Sequence, residues 1–431
     1  MPRIPTGFRQ AAKLNLYYGP SQHLKPPCVF GLRIEGGLDV SLLEMSLTWL
    51  VRRHTALRTY FPAETSPDLG LCLNPREAVW RLNEYDLRAT PDVLLAAKEQ
   101  EILTNLQEPL APDHYPMFRG YLLRYNDHWL LGIAVSHIIF DGESIEIFLS
   151  DLQHIYRHLY MERSPAGLTA VQSDFGKFAL WEKQWLQSSE ASQSVRYWAD
   201  AWAKIGPYPM FHVPVNSGSL VDDNGGLWYQ TLPAESIDRR RSDFQDGHIS
   251  LFALAAGSVL KALSGFTDQT DFGLIYTTSR RQLAMADKMI GFLNSRSLLH
   301  IHMPQDAKSD EFHSLARSAI LESMEHNMLP FEYLLEKLAP QYTDSQSSDL
   351  YIDLNVDSEP PAPYLHDTKT EITWPVAPGS FDTAPYVSID ISNDSERRQV
   401  TVSCGYPTGL PYSEFINELM SNTVESLICS H

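Results

Sequence analysis

Val135-Ser136-His137-Ile138-Ile139-Phe140-Asp141-Gly142 is the stretch on which the reading of this chain turns. The run that leads into it, Trp129-Leu130-Leu131-Gly132-Ile133-Ala134-Val135, is apolar and strand-like. Beyond it, Ile145, Phe148, Leu149, Leu152, Ile155, Tyr156 and Leu159 recur at steps of three and one, the spacing of one face of an α-helix. A histidine therefore stands where a buried strand ends, and an aspartate and a glycine stand where a helix begins. Loops that follow strands present reactive side chains from a rigid base. Each residue also has a reading without chemistry. Asp141 reads equally as a helix cap, His137 as a core histidine, Gly142 as relief for a tight turn and Ser136 as strand filler.

On the N-terminal side, residues 14–18 read as a short helix or strand. Residues 29–35 alternate as a strand that turns at Gly36-Gly37. Ser41 and Glu44 form a capping box for a helix over 41–54. Arg52 and Arg53 near its end complement the helix dipole. Arg58 follows in a strand-like stretch, where an inward arginine needs an anion; Asp141 is the candidate partner. Two short strands over 70–88, a helix over 91–107 and a hairpin through Asn126-Asp127 complete the approach to the motif.

On the C-terminal side, residues 163–170 read as a loop and 172–186 as an aromatic helix bridging two halves. Residues 205–226 read as a connector rich in Pro, Gly and Asn. Helices are expected over 249–263, 309–326 and 412–428, with a Pro-started helix after 326–332. Strands are expected over 271–277, 296–302 and 350–356, and a hairpin over 386–392 and 399–406. Residues 357–379 carry five prolines and read as a long exposed loop. Asp238-Arg239-Arg240-Arg241-Ser242 reads as a solvated helix face, with contact to an acidic carrier or a phosphate as the alternative. Interspersed strands and helices in both halves predict an α/β (α+β) fold of two sandwiches, 1–170 and 171–431.

The 431 residues allow two or three domains. A formal net charge of −19 argues against nonspecific binding to nucleic acid or anionic membranes. The four cysteines are dispersed, which fits a reducing cytosol rather than a disulfide framework or a zinc site. No stretch reaches the roughly 18 apolar residues of a membrane span. His300, His302 and His313 lack the companions of a metal site.

Taken together, five segments resemble condensation domains of nonribosomal peptide synthesis, which belong to the chloramphenicol-acetyltransferase-like acyltransferases. Residues 53–61 resemble RHExLRTxF, 136–142 resemble HHxxxDG, 178–181 are similar to the YxDFAxW region, 290–295 resemble IGxFVNT and 326–332 resemble HQDxPFE. They occur in the family's order. The resemblance implies a V-shaped pseudo-dimer of acyltransferase-like lobes with a central tunnel. It also implies a carrier-protein phosphopantetheine arm delivering an acyl thioester, and an acceptor amine or hydroxyl that is small or carrier-bound. His137 then matches the functional histidine, and Asp141 the structural aspartate usually paired with an arginine. Arg58 is the expected partner and Arg280 the reserve, while Gly142 keeps the turn open. Arg280, Asn294 and Ser295 are candidates for the tunnel or second-lobe motif. Ser136 departs from the family by replacing the first histidine. The expectation is a cytoplasmic, monomeric acyltransferase with no bound cofactor, metal, nucleic acid or membrane partner. It is either free-standing or a piece of a larger synthetase. A coenzyme A-dependent acyltransferase and a non-catalytic recruiting domain are the alternatives.

Overall fold

In a computed structural model, residues 1–19, 26–65, 67–163, 174–205, 222–244, 249–267, 269–304, 307, 309–338, 351–374, 386–408 and 410–429 are described. Two compact units divide them. The first comprises residues 1–185, 279–294 and 360–380, and the second 186–278, 295–359 and 381–431.

In chain order the first unit begins with β1 (Arg3–Pro5), α1 (Phe8–Tyr18), β2 (Cys28–Gly36) and α2 (Val40–Arg53). A 3-10 turn, Ala56–Arg58, leads into β3 (Thr59–Tyr60), β4 (Leu69–Cys72), β5 (Asn83–Asp86) and α3 (Asp92–Gln107). Then come β6 (Phe118–Arg124), β7 (His128–Val135), α4 (Gly142–Glu162) and α5 (Phe175–Trp185). The second unit holds α6 (Ser189–Ile205), β8 (Asp222–Pro233), α7 (Ala234–Ser242), α8 (Leu251–Ser264), β9 (Asp271–Thr278) and β10 (Ser295–His302). It continues with α9 (Ser309–Met324), α10 (Phe331–Leu338) and β11 (Tyr351–Ser358). The chain then returns to the first unit for β12 (Thr368–Thr373). The second unit ends with β13 (Tyr386–Asp394), β14 (Gln399–Thr408) and α11 (Leu410–Ile428).

The first unit is built on a five-stranded sheet of order β12-β2-β7-β6-β5. β7 lies at its centre, paired along both edges, and its last five residues are buried on both faces. Leu131, Ile133 and Val135 enter the main core with α2 and α4, while Ala134 packs with Leu103 and Leu106 of α3. This explains the continuous apolar run seen in the sequence. All seven periodic residues of α4 are buried. Such side chains each stabilise by up to about 1.5–3 kcal/mol.

The second unit has a six-stranded sheet of order β10-β9-β11-β13-β14-β8. β9, β11 and β13 run parallel, and the outer pairs are antiparallel. Apolar residues of α8 and α11 share one buried core with the inward positions of this sheet.

The structure corrects several expectations. The boundary at residue 170 is not where the units part: residues 174–185, 279–294 and 360–380 lie with the first. Part of the proline-rich loop is a strand, since Thr368–Thr373 pairs antiparallel with β2 from Gly36 to Gly31. Residues 222–226 belong to β8 rather than to a connector. The helix after Gly37 is capped by Asp39, whose Oδ1 accepts from the Leu42 N–H at 2.9 Å, and not by Ser41. Residues 14–18 are helical, as the end of α1. Arg240 in the basic run is buried and stacks over Phe244, so that helix face is only partly solvated. The expected features at 164–170, 172–173, 206–221 and 375–379 lie outside the described residues.

Candidate active site

β7 delivers the motif from the middle of its sheet, and the turn that follows is plugged by apolar side chains. Ile138, Ile139 and Phe140 are buried, and Phe140 stacks on Phe30 of β2 at 5.7 Å. The Ser136 N–H donates to the Met117 carbonyl at 2.9 Å, and the Ile139 N–H to the Ser136 carbonyl at 3.0 Å. Gln10, buried on α1, donates from Nε2 to the Ile138 carbonyl at 2.6 Å. Among these fixed neighbours, His137 keeps partial exposure.

Asp141 ends the turn and is fully buried. Its Oδ1 accepts from the Ser144 N–H at 3.0 Å, from Ser144 Oγ at 2.6 Å and from Arg281 Nη2 at 2.8 Å. Its Oδ2 accepts from Arg281 Nη1 at 3.0 Å and from the Leu293 and Asn294 N–H groups at 2.9 Å each. The cap and the ion pair are thus one structure. Burial works against the charge, but Arg281, Ser144 and the Leu293 amide outweigh it and hold the Asp141 pKa below its ordinary value. Arg281 also donates to the Met289 carbonyl from Nη2 at 3.0 Å.

The arginine that pairs with Asp141 is therefore neither Arg58 nor Arg280. Arg58 is buried as expected, but its Nη1 donates to the Leu73 carbonyl and lies 3.4 Å from the Cys72 sulphur. Arg280 is bonded to Glu182, whose other oxygen accepts from the Phe8 N–H at 2.6 Å. Two adjacent arginines after one strand thus serve two separate buried carboxylates. The only sequence signal for Arg281 was that it neighbours the reserve candidate.

The other singled-out residues fall as follows. Ser136 Oγ accepts from the Ile138 N–H at 3.4 Å. Gly142 is exposed at the first position of α4, and a Cβ there would meet nothing within 4 Å. Its value is open space rather than an unusual backbone angle. Asn294 joins the site through its N–H on Asp141, while its carbonyl and Oδ1 each accept from Arg9 Nη1 at 3.0 Å. Ser295 begins β10 in the second unit, with its Oγ 3.2 Å from the Arg296 carbonyl. Arg53 and His54 both reach Asp151 of α4, at 2.9 and 2.7 Å, and so tie two helices together. His300 and His302 flank Asp271. Among the described residues no group of His, Cys, Asp or Glu is arranged to hold a metal ion, and no helix is long and apolar enough to cross a membrane. The sequence reading passed over Gln10 and Cys28. The Cys28 sulphur lies 3.0 Å from His137 Nδ1 and 3.2 Å from Nε2.

A family model described as "Condensation domain" matches residues 23–429. The chain belongs to the condensation-domain family. A linear gramicidin synthase of Brevibacillus parabrevis is 25% identical over 311 residues, which are 71% of this chain and 4% of that protein. The chain thus spans a small part of the length of that curated relative. The first condensation domain of the calcium-dependent antibiotic synthetase, solved with a substrate analogue, gives a TM-score of 0.77 at 17% identity, covering 99% of this chain and 96% of that one. The X-domain solved in complex with OxyB from teicoplanin biosynthesis gives 0.78 at 19% identity, covering 99% and 94%. This likeness is one of fold, the two-lobed chloramphenicol-acetyltransferase-like fold of condensation domains.

Proposed function

We propose that this condensation domain forms an amide or ester bond, moving an acyl group from a carrier-bound thioester to an amine or hydroxyl. His137 receives the proton of the attacking group as its nitrogen or oxygen adds to the thioester carbonyl. The tetrahedral intermediate then collapses, the C–S bond breaks, and the carrier thiol leaves with the proton. An imidazole suits this exchange because its ordinary pKa lies near neutrality. One observation carries the reading: a partly exposed His137 stands on a turn whose far end is fixed by six polar contacts to buried Asp141. The phosphopantetheine arm of a carrier protein is the substrate's handle, with no resident cofactor required.

A second reading has the domain recruit a partner enzyme to a carrier without chemistry. It is favoured by Ser136 in place of histidine and by the fold likeness to an X-domain solved with OxyB. Offering acyl-carrier, acyl-coenzyme A and bare carrier separately, each with an amine acceptor, tests both. Product from the acyl-carrier supports the proposal. Product from acyl-coenzyme A alone makes it a coenzyme A-dependent acyltransferase. Carrier binding without product from any donor supports recruitment.

A further inference from the structure

Successive residues of a strand face opposite sides of its sheet. Ile352 and Leu354 of β11, with Ile389 and Ile391 of β13, enter the core of the second unit. Asp353, Asn355, Ser388 and Asp390 therefore share the other face. The register sets Asp353 opposite Ser388 and Asn355 opposite Asp390, so the four side chains mark the corners of one patch.

That patch is short of donors. Asp353 is 3% exposed, and its Oδ2 accepts from Arg296 Nη2 at 2.8 Å. Its Oδ1 is buried and, among the described residues, has no hydrogen-bond partner. A buried acceptor without a donor is costly, and folded proteins keep few of them unfilled. Asp390, diagonal to Asp353, accepts from Asn355 Nδ2 on Oδ1 and from Ser388 Oγ on Oδ2, at 2.9 Å each. A carboxylate oxygen can accept two such bonds, so each keeps room for another. Burial pushes the Asp390 carboxyl up to about 6, and the charges of Asp353 and Asp357 add to this. A cation set between the acids relieves that repulsion. Asn355, Ser388 and Asp390 keep partial exposure, so the patch is open to solvent.

The missing partner must bring positive charge and several donors. A protonated primary amine carries one charge and three N–H groups, which match Asp353 Oδ1 and the two oxygens of Asp390. A divalent metal ion suits the patch less. It needs about six oxygen ligands, and among the described residues no group of acids, histidines or cysteines is arranged to hold one. We propose that this face of the second sheet binds the ammonium group of a small primary amine between Asp353 and Asp390. The inference concerns binding alone and does not rest on the acyl-transfer reading.

The test is nuclear magnetic resonance of the full chain labelled with 13C at its aspartate carboxyls, at neutral pH and fixed ionic strength. The Asp353 and Asp390 signals are assigned by their loss in Asp353→Asn and Asp390→Asn. Propylammonium chloride is expected to shift both signals saturably at millimolar concentration. Tetramethylammonium chloride, which carries the charge without an N–H, is expected to leave them in place. Each substitution is expected to weaken propylammonium binding about 10-fold, read on the remaining signal, because it removes a charge-assisted hydrogen bond. Asp390→Asn leaves the Asp353–Arg296 pair intact and decides the matter alone if Asp353→Asn does not fold. No saturable shift with propylammonium, an equal shift with tetramethylammonium, or an unchanged affinity in either folded variant overturns the proposal.

Discussion

Asp141 in the first unit and Asp390 in the second are both acids set deep among protein atoms, and their pKa values move in opposite directions. Asp141 has a guanidinium, a hydroxyl and three backbone N–H groups on its two oxygens, and its pKa is held down. Asp390, on β13, retains some exposure as a residue. The density of protein around its carboxyl pushes the pKa up to about 6, against hydrogen bonds from Ser388 and Asn355 and with help from Asp353 and Asp357. The nearby cation Arg296 is bonded to Asp353 at 2.8 Å. Burial alone does not set the charge of a carboxylate; the donors built around it do. Of the two, Asp141 is the one that ends the turn carrying His137, and six polar contacts hold it there.

The contrast breaks most readily at Asp141. Asp141→Ala leaves buried Arg281, among the described residues, with only the longer 3.5 Å ion pair to the half-exposed Glu143 and is expected to cost about 3–5 kcal/mol, read as a lowered urea midpoint. Arg58→Ala serves as the control for the rejected pairing, because it leaves every contact of Asp141 in place. Losses in Asp141→Ala that add fully to those in Arg281→Ala, as they should with Arg58→Ala, would remove the assignment.

A smaller effect follows from pH. The folded-state pKa of Asp141 lies below its unfolded value, so its contribution is full above the ordinary carboxylate range and is lost as pH falls through the folded value. Wild-type protein is expected to lose stability on acidification more steeply than Asp141→Asn, as followed by thermal unfolding from pH 7 to 3.

The smallest effect has the opposite sign. Asp390 has a raised pKa, so its charge costs stability above about pH 6 and is relieved as pH falls toward 3.8. Asp390→Asn is expected to stabilise the protein at pH 8 by on the order of 1 kcal/mol, a figure reduced by its partial exposure. The gain should vanish near pH 4. A loss of stability at pH 8 would mean that the two acids do not differ as described.

The same two regions show what the sequence disclosed. The strand, the turn and the helix around His137 were legible because period and capping are local: every periodic residue of α4 is buried and Asp141 caps it. The partner of Asp141 was not legible. Arg281 is 140 positions away, and nothing local distinguishes it from Arg280, since which way each points depends on how the chain leaves β9. Asp39 was passed over for Ser41 because both fit a cap rule that tolerates a shift of two residues. β12 hid in a proline-rich stretch because its edge pairing to β2 is set by tertiary structure and not by its own composition. Cys28 reads as an ordinary strand residue until the register with Val135 is known.

The central claim is that the imidazole of His137 performs the chemistry while Asp141 only holds it in place. Single-turnover acyl transfer by wild type and His137→Ala, with unfolding midpoints measured on the same samples, tests it most directly. The account predicts a rate loss of about 10²–10⁴-fold in His137→Ala with an unchanged midpoint. A folded His137→Ala protein that transfers the acyl group at the wild-type rate would contradict it.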